Sequence, residues 1–238
     1  MVRIVLSFYI LAGFISSTLF AESLNVAVTA SFKPVLEELE PLFKQAKGHD
    51  LVLSSASTGT LYQQIRHGAP FDIFLAADDL RPKQLQQFLK LPIERVFLYA
   101  TGQLVLVSKD PSIKQLEDLK QSPHQLVVAN PAVAPFGVAA EEVLSSIGYQ
   151  GEKVFANNVS QAQQYLNLGL SPVGIVSASV ATELPHIKID SALYKPVIQQ
   201  GIVLTDSTAA QEFVLFLASQ EVTELYLRFG YSLPVSSQ

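Results

Sequence analysis

Ser57 and Thr58 stand where an apolar, strand-like run at residues 51–55 gives way to the helical pattern Thr58-Gly-Thr-Leu-Tyr-Gln-Gln-Ile65. The first N–H groups of a helix have no intrahelical partner, and hydroxyl side chains there add further donors, so such a place suits an anion. The same arrangement occurs earlier, where Leu24-Asn-Val-Ala-Val-Thr29 leads through Ala30 and Ser31 into a helical segment beginning at Phe32. Two hydroxyl-bearing helix starts make a better anion trap than one. Taken alone, each is also the pattern of an ordinary N-cap.

Other chemistries find less support. The chain has no Gly-x-Ser-x-Gly elbow, and His49, His67, His124 and His186 are scattered with no metal-type pair. His67 ends a helical segment just before Gly68, where an imidazolium would complement the helix dipole. Asp72 and Asp78 could be imagined as an acid and base. In an extended segment they would lie about 20 Å apart, too far to share a proton. Asp72 is expected to cap or pair across the lobe, and Asp78 to cap the loop into the helical segment at 81–90. A secreted hydrolase is therefore the alternative from another class. A binder of sugars or organic anions would use stacking aromatics, and the chain has no Trp.

The elements that must position these residues follow from the periodicity. Strand-like runs at 24–29, 51–55, 71–76, 95–99, 103–108, 125–129, 153–156, 173–177, 186–189 and 196–204 alternate with helical patterns at 32–46, 58–67, 81–90, 113–120, 137–147, 160–169, 208–218 and 219–229. This alternation predicts an α/β fold. Gly68, Gly148 and Gly230 fall where helices should end in a left-handed residue. Pro34 is tolerated in a first turn, whereas Pro41 should kink or split its helix. No low-complexity linker or exact repeat separates lobes, so two lobes would be joined by short crossovers.

A net charge of −5 argues against nucleic acid as a partner and against nonspecific attraction of anions, so local donors must hold any anion. The 49% apolar and 16% charged composition is that of an ordinary globular protein. Met1 to Phe20 carries Arg3 and then an uncharged apolar run ending at Ala21, the pattern of a signal peptide cleaved before Glu22. A membrane anchor is the competing reading. With no cysteine there is no disulfide framework and no lipid-attachable residue, so a periplasm is the expected destination.

Gly68-Ala-Pro-Phe-Asp-Ile-Phe-Leu-Ala-Ala-Asp78 after the Ser/Thr-Gly helix start, Asn130-Pro131 leading to Pro135-Phe-Gly137, Asn158-Val-Ser-Gln161, Gly174-Ile-Val176 and Arg228-Phe-Gly-Tyr231 follow one another in a distinctive order. In order and spacing over the mature chain, they resemble the periplasmic molybdate-binding proteins of ABC transporters. The resemblance implies a periplasmic binding-protein fold: two α/β lobes, a hinge of two crossovers and a ligand cleft between them. It places lobe one at 22–101 and 201–238 and lobe two at 102–200. It further implies a monomer that binds molybdate or tungstate without a cofactor, is not an enzyme, and delivers its ligand to a permease and ATPase. Another oxyanion such as sulfate is the alternative ligand.

Carried over residue by residue, the resemblance puts the oxyanion contacts on Ser31, Thr58, Phe136, Val159 and Ser177. Ser31 and Thr58 would each offer a hydroxyl and a backbone N–H. Phe136 and Val159, at the starts of helices, would offer only their N–H groups, so apolar side chains can stand there. At Ser177 the chain departs from the pattern, because the best-known members carry a tyrosine after Gly-Ile-Val. Serine is too short to reach the same point, and the gap would be filled by water or a neighbouring donor.

Overall fold

The computed structural model describes residues 22–233. The expected signal peptide, residues 1–21, lies outside the described residues. Ten strands form two five-stranded mixed sheets. The first contains β1 (Ser23–Thr29), β2 (Asp50–Ala56), β3 (Ile73–Leu75), β4 (Val96–Gly102) and β10 (Val197–Val203), in the order β2-β1-β3-β10-β4. The second contains β5 (Leu104–Ser108), β6 (Leu126–Ala129), β7 (Lys153–Ala156), β8 (Val173–Ser177) and β9 (His186–Lys188), in the order β7-β6-β8-β5-β9.

The two sheets share one plan. In each, three strands run parallel (β2, β1 and β3; β7, β6 and β8), and the next strand, β10 or β5, runs antiparallel to its neighbours. The chain passes between the sheets at Gln103, from β4 to β5, and again between β9 and β10. β10 belongs to the first sheet from its first residue, with Val197 opposite Gly102 and Gln199 opposite Ala100. The return crossover therefore lies before Val197, a few residues earlier than the expected boundary at 200/201, because the ladder to β4 already holds these residues.

Helices cover both faces of the first sheet. α1 (Lys33–Lys47), α6 (Thr208–Leu217) and α7 (Gln220–Arg228) bury Leu36, Phe43, Phe213 and Tyr226 against one face. α2 (Thr58–Arg66) and α3 (Leu80–Leu89) bury Leu61, Ile65 and Leu85 against the other. α4 (Pro135–Ser146) and α5 (Val159–Asn167) pack on the second sheet through Ala139, Ala140, Val143, Ala162 and Leu166. Each fully buried side chain of this size contributes roughly 1.5–3 kcal/mol of transfer free energy.

Two elements differ locally from the sequence pattern. α1 is not split at Pro41. Proline removes one N–H from the ladder, but Val35, Leu36, Leu39 and Phe43 on the buried face hold the turns on either side. The helical pattern at 113–120 forms only a short 3-10 helix, Leu116–Gln121. Ser122 precedes Pro123, which disfavours helical backbone there and ends the element.

Candidate functional site

Each of the five residues under scrutiny follows the carboxyl end of a parallel strand or ends one: Ser31 after β1, Thr58 after β2, Phe136 after β6, Val159 after β7, and Ser177 at the end of β8. In open α/β sheets this edge forms the ligand crevice. Here the carboxyl edges of the two sheets meet. The Gly59 N–H donates to the Val133 carbonyl at 2.9 Å. The Ser160 hydroxyl donates to the Ala30 carbonyl at 3.1 Å, and the Ser179 hydroxyl to the Ser31 carbonyl at 2.7 Å. Ala30 and Ala77 from the first lobe are buried in the apolar cluster of the second. The structure thus brings the segments of all five residues to one interlobe junction, and all five residues are at most 3% exposed.

The turn at Ser31 is fixed from behind by Phe32, which is fully buried with its ring centroid 4.7 Å from Tyr99, 5.4 Å from Tyr226 and 5.3 Å from Tyr231. Such aromatic pairs contribute roughly 0.5–1.5 kcal/mol each beyond their buried area. The neighbouring N–H groups are engaged, Ala30 with the Ala56 carbonyl and Phe32 with the Thr29 carbonyl. Ser31 Oγ is fully buried and has no hydrogen-bond partner among the described residues. An orphaned donor of this kind costs about 1–3 kcal/mol unless a ligand or water completes it.

Thr58 is the first residue of α2, behind the N-cap Ser57, whose Oγ accepts from the Thr60 N–H. Its hydroxyl is not free as the sequence suggests. Thr58 Oγ1 donates to Thr29 Oγ1 at 3.1 Å and accepts from the Ala77 N–H at 3.0 Å. The side chain therefore ties β1, α2 and the end of β3 together, and the donor it leaves at the junction is its backbone N–H.

The second lobe presents helix starts of the same kind. Pro135 opens α4, where its missing N–H is no loss, and Phe136 follows it. Gly137 lets this turn seat against β6, since a Cβ there would lie 2.3 Å from the Ala129 carbonyl oxygen. Asn158 caps α5 by accepting from the Gln161 N–H at 2.9 Å, and Val159 is the first helical residue. Phe136 and Val159 are both buried, and only their main-chain donors could serve a polar ligand.

Ser177 Oγ lies 3.0 Å from Ser179 Oγ. The single Ser179 proton goes to the Ser31 carbonyl, which can only accept, so Ser177 must be the donor in that pair. The Tyr231 hydroxyl also donates to the Ser31 carbonyl, at 2.8 Å, and lies 3.2 Å from Ser179 Oγ. Ser179 and Tyr231 were not singled out from the sequence. Neither carries a pattern of its own, although Tyr231 stands in the Arg-Phe-Gly-Tyr fragment.

Among the described residues, no charged side chain hydrogen-bonds to this node. Grooves open between the lobes beside the junction, among them one of about 420 Å³ where the ion pair of Asp78 and Arg81 faces α4 and one of about 510 Å³ lined by Lys33, Ser55, Asn158 and Gln161. Burial pushes the phenol pKa of Tyr99 well up and raises that of Tyr231, so both remain neutral donors at physiological pH. The arrangement can bind a small anion with uncharged donors.

The family model for bacterial extracellular solute-binding proteins matches residues 24–232. The chain belongs to that family. It is 33% identical to the molybdate-binding protein ModA of Azotobacter vinelandii over 238 residues, 93% of this chain and 94% of that one. To ModA of Rhodobacter capsulatus it is 33% identical over 220 residues, 86% of each chain. Among solved structures, the Azotobacter vinelandii periplasmic molybdate-binding protein superposes with a TM-score of 0.82 at 30% identity, covering 89% of this chain and 99% of that one.

Proposed function

We propose that this protein is the periplasmic binding component of an ABC transporter, capturing a tetrahedral dianion, molybdate or tungstate, and delivering it to a membrane permease and its ATPase. The observation that carries the reading is a fully buried Ser31 hydroxyl with no hydrogen-bond partner among the described residues, in a junction to which both lobes bring helix starts. Relatives covering nearly the whole chain are molybdate-binding proteins, which supports the ligand class. The solute-binding family assigns binding rather than turnover. It also assigns a place outside the cytoplasm, in keeping with removal of residues 1–21 as a signal peptide.

The donors are the hydroxyl and N–H of Ser31 and the N–H groups of Thr58, Phe136 and Val159. Five hydrogen bonds to a charged partner contribute roughly 7–15 kcal/mol before ordering and desolvation. A micromolar complex needs about 8 kcal/mol. Neutral donors therefore suffice in a closed, dry junction, with helix N-termini supplying partial positive charge. A site made of donors alone favours a fully deprotonated oxyanion over one that carries a proton, and its volume selects among ion sizes.

Titration calorimetry of the mature protein with molybdate, tungstate, sulfate and phosphate tests this reading. Tight binding of molybdate and tungstate with at least a hundredfold weaker binding of sulfate is expected. Equal affinity for all four, or none for any, overturns it.

A further inference from the structure

We infer that Ser179 is a positioning residue that makes the ligand-facing orientation of the Ser31 turn depend on lobe closure, with Ser177 acting through it. The inference deepens the oxyanion reading above and rests on it for the choice of ligand. Ser179 belongs to the 3-10 helix Ala178–Val180 of the second lobe, and Ser31 to the turn after β1 of the first. Their hydrogen bond, Ser179 Oγ to the Ser31 carbonyl at 2.7 Å, spans the cleft.

The protons available at this node give it a direction. Ser179 Oγ donates once, to the Ser31 carbonyl, and receives from Ser177, while the single Tyr231 proton goes to the nearer Ser31 carbonyl at 2.8 Å. A hydroxyl has one proton, so Ser179 has none left for another acceptor. The Ser31 carbonyl accepts from Ser179 and Tyr231, which fills both of its acceptor sites. Ser177 has used its proton on Ser179 and has none for an oxyanion. Ser177 thus feeds a relay, Ser177 to Ser179 to the Ser31 carbonyl.

The Ser31 carbonyl is the acceptor nearest in sequence to the two Ser31 donors. Turned toward a dianion it would repel it; held by two donors, it is kept from serving as a free acceptor there. Tyr231 comes from the same lobe as Ser31 and holds the carbonyl in any lobe arrangement. Ser179 comes from the other lobe, so it completes the hold only when the lobes meet. Closure thereby favours the binding form of the turn, and a ligand that needs this form favours closure by the same amount.

The test compares Ser179→Ala, Ser179→Thr and Ser177→Ala with the wild type by stopped-flow binding of molybdate. Interlobe distance is followed in parallel by fluorescence transfer between dyes on cysteines introduced at the exposed positions Gln45 and Lys120; the chain has no native cysteine to interfere. Ser179→Ala is expected to raise the dissociation rate about tenfold with little change in association. It should also shift the ligand-free protein toward longer interlobe distances. Ser179→Thr, which keeps the hydroxyl, restores both, and Ser177→Ala moves both in the same direction by less. If wild type binds molybdate and Ser179→Ala changes neither readout, or if Ser179→Thr is as impaired as Ser179→Ala, the inference is overturned. If wild type binds no oxyanion while the distance still shifts in Ser179→Ala, the closure role stands and the ligand assignment falls.

Discussion

The Gly59 N–H donates to the Val133 carbonyl at 2.9 Å, joining the first turn of α2 in one lobe to the loop before α4 in the other. A Cβ on Gly59 would lie 3.0 Å from that oxygen and 3.1 Å from Val133 Cα, so the lobes can meet this closely because the residue is glycine. Gly59→Ala should have opposite effects on stability and binding. Alanine in a helical turn stabilises α2 by up to about 1 kcal/mol, while the crowded junction weakens closure and lowers molybdate affinity about threefold to tenfold. Thermal unfolding without ligand and calorimetry with it check the two signs. Unchanged affinity would show that the lobes hold the ligand at a wider separation.

Thr58 and Ser31 have similar hydroxyls but are predicted to respond differently to truncation. Thr58→Ala leaves the buried Ala77 N–H without its acceptor, so it should destabilise the ligand-free fold by about 1–3 kcal/mol, and Thr58→Ser should recover most of the loss. Ser31→Ala removes an orphaned donor, so the ligand-free fold should keep or gain stability while molybdate affinity falls more than tenfold. Urea unfolding and titration of the three variants separate these effects. Equal stability losses at Ser31 and Thr58 would contradict the difference.

Much of this arrangement was readable from the chain, and the exceptions have physical causes. All ten strand-like runs contain a strand, because runs this short, rich in Val and Ile and bounded by turn residues, favour strand over helix where period alone cannot decide. Asp72 accepts from the Asn25 N–H and the Thr205 hydroxyl within its own lobe, and Asp78 accepts from the Arg81 N–H at the start of α3, as their positions beside turns suggested. Sequence pattern did not reveal which protons were already engaged. The Thr58 hydroxyl looks free at a helix start, but Thr29 and Ala77 reach it only once β1 and β3 pair side by side. Ser179 and Tyr231 meet Ser31 from 148 and 200 residues away, a contact that no local spacing encodes.

Gly137 should prove as sensitive as any ligand-facing residue. A Cβ there would stand 2.3 Å from the Ala129 carbonyl oxygen and 2.8 Å from the Pro131 nitrogen, both backbone atoms that cannot swing aside. Gly137→Ala must therefore lift the first turn of α4 off β6, carrying the Phe136 N–H away from the junction. A loss of roughly 1–3 kcal/mol in stability and at least tenfold in affinity is expected. The checks are urea denaturation and calorimetry; wild-type values in both would show that this turn has slack.

The buried tyrosines predict an alkaline limit to stability. Burial raises the pKa values of Tyr99, Tyr226 and Tyr231 above 10.0 in the folded protein. The folded state therefore holds its phenol protons to higher pH than the unfolded chain, so this contribution is fully present below pH 10 and is lost as pH rises through the folded values. Tyr226 gives the most direct test because its hydroxyl is buried with no partner among the described residues, in contrast to that of Tyr231. Tyr226→Phe removes the orphaned hydroxyl together with its titration, leaving the ring to pack 5.4 Å from Phe32. It should raise stability at pH 8 by up to about 1–2 kcal/mol and flatten the decline between pH 9 and 11, as measured by urea unfolding across that range. A destabilised variant at pH 8 would mean that the hydroxyl has a partner, such as an ordered water, whose loss outweighs the relief.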